Sequence, residues 1–229
     1  SVLASDLGQS AATVYRILVT LEGRGLVEFD QVAQVWHIGP RAFVIGARFL
    51  KRTSLVERAR PFLRRLMEDT GETANLGIEQ NGQVLFVSQV ETNASIRAFF
   101  PPGTLSQMHA SGIGKALMAQ METSRLETLL AKAPLERFTE FTLIVHDALM
   151  ADLAVTRLRG FAIDGEERNL GMRCIAAPIF DINGEAVAGI SVSGPTSRVG
   201  SEQITELSRA VVAAAKELSA AIGGDVSAP

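Results

Sequence analysis

Cysteine is nearly absent from these 229 residues: Cys174 stands alone. A single thiol excludes an internal disulfide framework, and it leaves a zinc site short of ligands. His37, His109 and His146 lie far apart in the chain, with no second cysteine to join them. No apolar run reaches the roughly 18 residues of a bilayer-spanning helix, and no charged-then-apolar leader opens the sequence. These absences lead to the expectation of a protein of the reducing cytoplasm, with no membrane contact, no metal and no cofactor. Net charge is small as well, at −3, but it is unevenly spread. Residues 1–53 carry six Lys/Arg against four acids, and the remainder carries 16 against 21. A basic head on an acidic body permits nucleic-acid binding without establishing it. The length allows one large domain or two modest ones.

The C-terminal half holds the most telling stretch, CIAAPIFDINGEAVAGISVSGP from Cys174 to Pro195. Two apolar strand runs meet at Asn183-Gly184, a strong hairpin signal. Strand side chains alternate, so Ser191 and Ser193 share one face. A hydroxyl buried without a partner costs about 1–3 kcal/mol, and a bound polar ligand would supply that partner. The loop His109-Ala110-Ser111-Gly112-Ile113-Gly114-Lys115 adds glycines that let a ligand approach the backbone. It also opens a helix whose free N–H groups suit a carboxylate. Lys115 resembles the lysine of a phosphate-binding loop, but Ala116 stands where a magnesium-binding Ser or Thr is needed. A helix of this length turns the Lys115 side chain away from its own N-terminus, so Lys115 is read as structural.

The N-terminal segment reads as helix, turn, helix and hairpin. Val2–Leu7 forms a short helix closed by Gly8, and Ser10 caps a second over Ala11–Gly23. In that helix Val14, Ile17, Leu18 and Leu21 make an apolar stripe for the core. Ala12, Thr13, Arg16 and Thr20 lie opposite, with Tyr15 at the margin, a face suited to a major groove. Leu26–Phe29 and Val35–Ile38 then flank Asp30-Gln31 as a wing. The plainer alternative is a helical hairpin with a solvated outer face.

LASDLGQSAATVYRILVTLEGRGLVEFD followed by WHIGPRAFVIG resembles the winged helix and linker of the isocitrate-lyase-regulator (IclR) family of bacterial transcription factors. SGIGKALM, GFAIDGEERNLGMRCIAAPIFD and AGISVSGPTSR follow in family order, so the resemblance covers nearly the whole chain. Its fit is close to the glyoxylate-responsive repressors. It implies an α+β protein: a winged helix-turn-helix incomplete at its start (1–38), a linker helix (39–53), an effector domain with a GAF/PAS-like antiparallel sheet (54–223) and a tail (224–229). The reading of this domain has strands at Thr73–Gln80, Val84–Glu91, Ser95–Phe100 and Phe161–Asp164, the Cys174 hairpin, and helices packed to one side.

Function follows as expectation. The resemblance implies a ligand-responsive repressor that binds operator DNA as a homodimer or homotetramer and senses a small carboxylate or 2-oxo acid such as glyoxylate or pyruvate. DNA contact falls to Ser10, Thr13, Tyr15 and Arg16, with basic residues near the linker on phosphates. The effector pocket maps to Asp164, Cys174, Ser191 and Ser193, with backbone contributions from Gly112 and Ile113. Asp164 would be protonated, bond a hydroxyl of a hydrated ligand, or brace its loop. Glu166 and Glu167 would hold the loop to Gly171 through Arg168 or Arg173. Ala98 and Ser106 replace bulkier residues of the glyoxylate branch, which implies a roomier cavity. Two alternatives stay open: a cysteine-dependent enzyme pairing Cys174 with His109, and a ligand-binding or oligomerisation module without DNA binding.

Overall fold

The computed structural model describes residues 2–52, 54–132 and 134–224, without the side chains of residues 47–54. The side chains of Arg48, Lys51 and Arg52 and tail residues 225–229 therefore lie outside the description. Two compact units meet in the chain at Thr53 and Ser54.

The first unit runs α1 (Val2–Asp6), α2 (Ala11–Glu22), β1 (Val27–Asp30), β2 (Val35–Ile38) and α3 (Pro40–Arg52). Ser10 starts α2 as its sequence suggests: its Oγ accepts from the Thr13 N–H at 3.1 Å. Strands β1 and β2 pair antiparallel, Val27 opposite Ile38 and Asp30 opposite Val35. Their turn spans 31–34 rather than closing tightly at Asp30-Gln31. Asp30 Oδ1 stitches it by accepting from Val32 and Ala33 N–H groups at 2.8 and 2.9 Å, an Asx-type turn. The expected apolar stripe of α2 is only partly used. Val14 is buried, but Ile17 is 51% exposed. Within the unit α2 packs on α1 and β1, and Leu18 and Leu21 are half-buried.

The second unit runs α4 (Ser54–Thr70), β3 (Thr73–Gln80), β4 (Gln83–Val90), β5 (Leu105–Gln107), a 3-10 turn at Met108–Ala110, α5 (Gly112–Met118), α6 (Thr123–Leu130), α7 (His146–Arg159), β6 (Ala162–Gly165), β7 (Met172–Phe180), β8 (Ala186–Pro195) and α8 (Ile204–Ala221). Six strands form one sheet in the order β5-β4-β3-β8-β7-β6, antiparallel throughout. The β7–β8 hairpin turns where Asn183-Gly184 places it. Asp181 Oδ1 accepts from Asn183 and Glu185 N–H groups, and Gly184 takes φ 74°.

Two expectations need correction. Residues 95–100 form no strand. The outer edge of β4 is occupied by 103–107: Leu105–Gln107 pair with Gln83–Leu85, and Phe86 bonds Gly103 and Thr104, which leaves 95–100 no edge. Nor do helices cover one side only. Cross-strand partners share a face, so Leu76, Ile190, Ile175 and Val192 point one way and Asn75, Ser191, Cys174 and Ser193 the other. The first, fully buried set faces α4 and α8; α5 lies on the second face, with α7 against it. Ile113 of α5 rests on a floor bare of side chains, where a Cβ on Gly77 or Gly189 would meet it at 3.3 or 2.8 Å.

Candidate effector pocket

The face of the sheet under α5 carries the polar residues. Asp164 on β6 stands opposite Cys174 on β7, and Cys174 opposite Ser193 on β8. Two residues along, Ser191 pairs across to Asn75 on β3. Asn75 Nδ2 reaches both hydroxyls, at 3.5 Å to Ser191 Oγ and 3.4 Å to Ser193 Oγ. Gln89 Nε2 in turn donates to Asn75 Oδ1 at 2.9 Å. The serines thus have a protein donor, and Asn75 is the residue that sequence reasoning missed. The same argument that singled out two hydroxyls in an apolar strand applies to an amide in TANLGI.

Asp164, Cys174, Ser191 and Ser193 line one cavity together with Phe86, Phe100, Ser106, Ala110–Ile113 and Arg168. All six expected effector residues, Gly112 and Ile113 included, are therefore brought to one place. Ser106 is in the wall; Ala98 is buried but outside it. The cavity is small, about 20 Å³, and Phe86 and Phe100, both in its wall, stack at 4.8 Å. Gly112 is at the limit of approach: a Cβ there would lie 2.7 Å from Cys174 Sγ. Helix α5 is short, and its Gly114 N–H is already bonded to Ser111 Oγ at 3.3 Å, so less of its end is free than the sequence suggests.

The charges are arranged in depth. Lys115 is completely buried, with Nζ 2.5 Å from Glu167 Oε1 and 3.0 Å from Asp152 Oδ2. Glu167 thus pairs with Lys115, not with Arg168 or Arg173. Arg173 instead donates to the Val199 carbonyl at 2.8 Å. Glu166 does hold Gly171, accepting from its N–H at 2.7 Å. Asp164 braces the loop: Oδ1 accepts from the N–H groups of Glu167 at 2.8 Å and Arg168 at 3.4 Å. Burial, then the nearby Glu167 charge, raises the Asp164 carboxyl to about 7. Burial also pushes the Cys174 thiol up to about 11, so it is no ready nucleophile. His109 bonds the Glu136 carbonyl at 2.9 Å and lines a different cavity, so the Cys174–His109 pair is not assembled. Among the described residues no group of three or more His, Cys, Asp or Glu could hold a metal ion, and no helix is long and apolar enough to cross a membrane.

In the first unit Ser10 and Thr13 bond each other, Oγ to Oγ1, at 2.9 Å. Arg16 is exposed, as is Tyr15, whose ring stands edge-on to Trp36 at 6.5 Å. Trp36 in turn packs on Phe29 at 4.9 Å, tying the wing together.

A helix-turn-helix with a two-stranded wing, joined in sequence to a sheet unit with a polar cavity, defines a DNA-binding regulator. Residues 47–220 match the profile of the bacterial transcriptional regulator IclR C-terminal region, and residues 1–31 that of the IclR helix-turn-helix domain. The HTH-type transcriptional regulator BhcR of Paracoccus denitrificans is 58% identical over 217 residues, covering 95% of this chain and 78% of BhcR. The transcriptional repressor IclR of Escherichia coli is 40% identical over 226 residues, covering 97% and 82%. The crystal structure of Thermotoga maritima IclR superposes with a TM-score of 0.80 at 29% identity, over 96% of this chain and 89% of that one. The chain belongs to the IclR family of transcriptional regulators. These relatives are regulators, not enzymes.

Proposed function

We propose that this regulator is a cytoplasmic repressor that senses a small 2-oxo acid, glyoxylate or pyruvate, in the cavity beneath α5. One observation carries the reading: Asp164, Cys174, Ser191 and Ser193 converge on a small cavity with the backbone of Gly112 and Ile113. In this arrangement the backbone of Gly112 and Ile113 takes the carboxylate end of the ligand. The serines, oriented by Asn75, bond the oxo group or its hydrate. A protonated Asp164 can donate, which removes the difficulty of seating an anion beside a carboxyl. The repressor sense is supported by the repressors among its relatives.

Residues 1–38 act as the DNA-reading domain, 39–53 as the linker, 54–223 as the sensor and 224–229 as a tail. A homodimer or homotetramer places α2 of two copies on operator half-sites. Ser10, Thr13, Tyr15 and Arg16 face the DNA. Ligand then acts by binding one arrangement of the assembly better than another, since equal binding shifts nothing.

Calorimetric titration with glyoxylate and pyruvate, repeated on Ser191→Ala/Ser193→Ala, tests the sensor. Saturable binding that the double variant loses supports it, as does release of operator duplex at the same ligand concentration. Heat changes indistinguishable from dilution overturn the oxo-acid assignment.

A further inference from the structure

Arg168 is the one basic residue in the cavity wall among the described residues. Its guanidinium lies 3.9 Å from the centroid of the Phe138 ring. That contact seats the cation against the face of the ring. Nη1 is sealed from solvent and has no hydrogen-bond acceptor in the protein. Of the carboxylates nearby, Glu167 Oε1 and Asp152 converge on Lys115, Glu167 Oε2 is itself without a hydrogen-bond partner, and Asp164 Oδ1 accepts from backbone N–H groups, that of Arg168 among them. No acid comes within ion-pair distance of Arg168 among the described residues.

A buried donor on a charged group is costly to leave unmet, and folded proteins rarely leave one so. The residue that carries this unmet donor also borders the cavity. We infer that Arg168 is a specificity-determining residue that reads the acid group of the effector, its guanidinium donating to a carboxylate oxygen of the molecule that fills the cavity. The inference rests on the oxo-acid reading above and refines it, adding to the backbone of Gly112 and Ile113 the side chain that separates an acid from a neutral molecule of equal size. A guanidinium suits a carboxylate better than a hydroxyl or a carbonyl, because both partners carry charge and the fork matches the two oxygens. The ligand class is accordingly a small monoanionic oxo acid, with uncharged aldehydes of the same carbon count bound more weakly. The short tether also matters. Because the Arg168 N–H bonds Asp164 Oδ1, the residue that reads the acid and the carboxyl beside it sit on one loop.

The test compares glyoxylate with the neutral two-carbon probe glycolaldehyde, by calorimetry on this chain, its Arg168→Gln variant and its Arg168→Lys variant. Thermal melts of all three check folding, and the Lys variant is read if the Gln variant does not fold. Arg168→Gln should weaken glyoxylate by about 10-fold or more, with Arg168→Lys in between and glycolaldehyde unaffected. The wild-type affinity for glyoxylate should also fall with added salt, and that dependence should flatten in Arg168→Gln. If the wild type binds glyoxylate and both variants retain its affinity, the Arg168 inference is overturned while the sensor reading stands. Equal loss of both probes also overturns it, since Arg168 would then shape the cavity without reading charge. If the wild type itself binds no oxo acid, the sensor reading falls and takes this inference with it.

Discussion

Lys115 Nζ lies 2.5 Å from Glu167 Oε1 in the interior of the second unit, with the lysine buried. A cation buried beside two carboxylates is tolerable only while its partners remain. Lys115→Met therefore strands Glu167 and Asp152, and the expected loss is about 3–5 kcal/mol in urea unfolding. Lys115→Met combined with Glu167→Gln should recover part of that loss. A double variant less stable than the single one would show that the pair is not what Lys115 supports.

Asn75 offers a second prediction, through its bonds to Ser191 and Ser193. Asn75→Ala leaves two hydroxyls without a donor and Gln89 without an acceptor, so stability should fall by about 1–3 kcal/mol. Glyoxylate affinity should fall as well, because the hydroxyls lose their orientation. Gln89→Ala, which removes only the outer bond, should cost less in both measurements. Unchanged affinity in a destabilised Asn75→Ala protein would reduce Asn75 to a packing role.

The Asp164 carboxyl, held near 7 by burial, makes both stability and binding depend on pH. Its folded value lies above the unfolded value of 3.8, so the folded state keeps a proton that the unfolded chain has released. Stability therefore declines as pH rises from the unfolded value, and the decline is complete above the folded one. Asp164→Asn should flatten that slope in urea titrations run between these limits. Glyoxylate affinity should weaken above the folded value, by up to about tenfold per pH unit as an ionised carboxylate meets an anion. A flat binding profile in the wild type would mean that Asp164 does not face the ligand.

DNA reading gives a fourth prediction. Arg16 is exposed on α2, free of the cap bond that joins Ser10 and Thr13. Arg16→Ala should weaken binding to duplexes of every sequence and lower the salt slope by about one. Anisotropy titrations against operator and scrambled duplexes measure both. Specificity relaxed at a single base pair would move Arg16 from the phosphates to a base edge.

Local chemistry was legible in the sequence wherever one residue type decides the outcome. Ser10 caps α2, Asn183-Gly184 turns the β7–β8 hairpin, and alternation puts Ser191 and Ser193 on one face. What needed coordinates was pairing at a distance. Nothing near Lys115 in sequence announces that Glu167 and Asp152 will reach it, because 52 residues separate the first pair. Asn75 was obscured because its partners sit on a strand 116 and 118 residues away. Ser95–Phe100 has the composition of a strand but no edge to join, and edge occupancy is a tertiary fact.

The aromatic contact between Tyr15 and Trp36 has an optical consequence. These are the sole tyrosine and the sole tryptophan of the chain, and both belong to the DNA-reading unit. The second unit is dark when excitation is confined to the red edge of the absorption band. Any change in emission that follows addition of a ligand for the second unit, itself transparent there, reports an effect felt at the wing. The chain therefore carries its own fluorophore in the winged unit, and needs no label to show whether ligand binding in the second unit is transmitted.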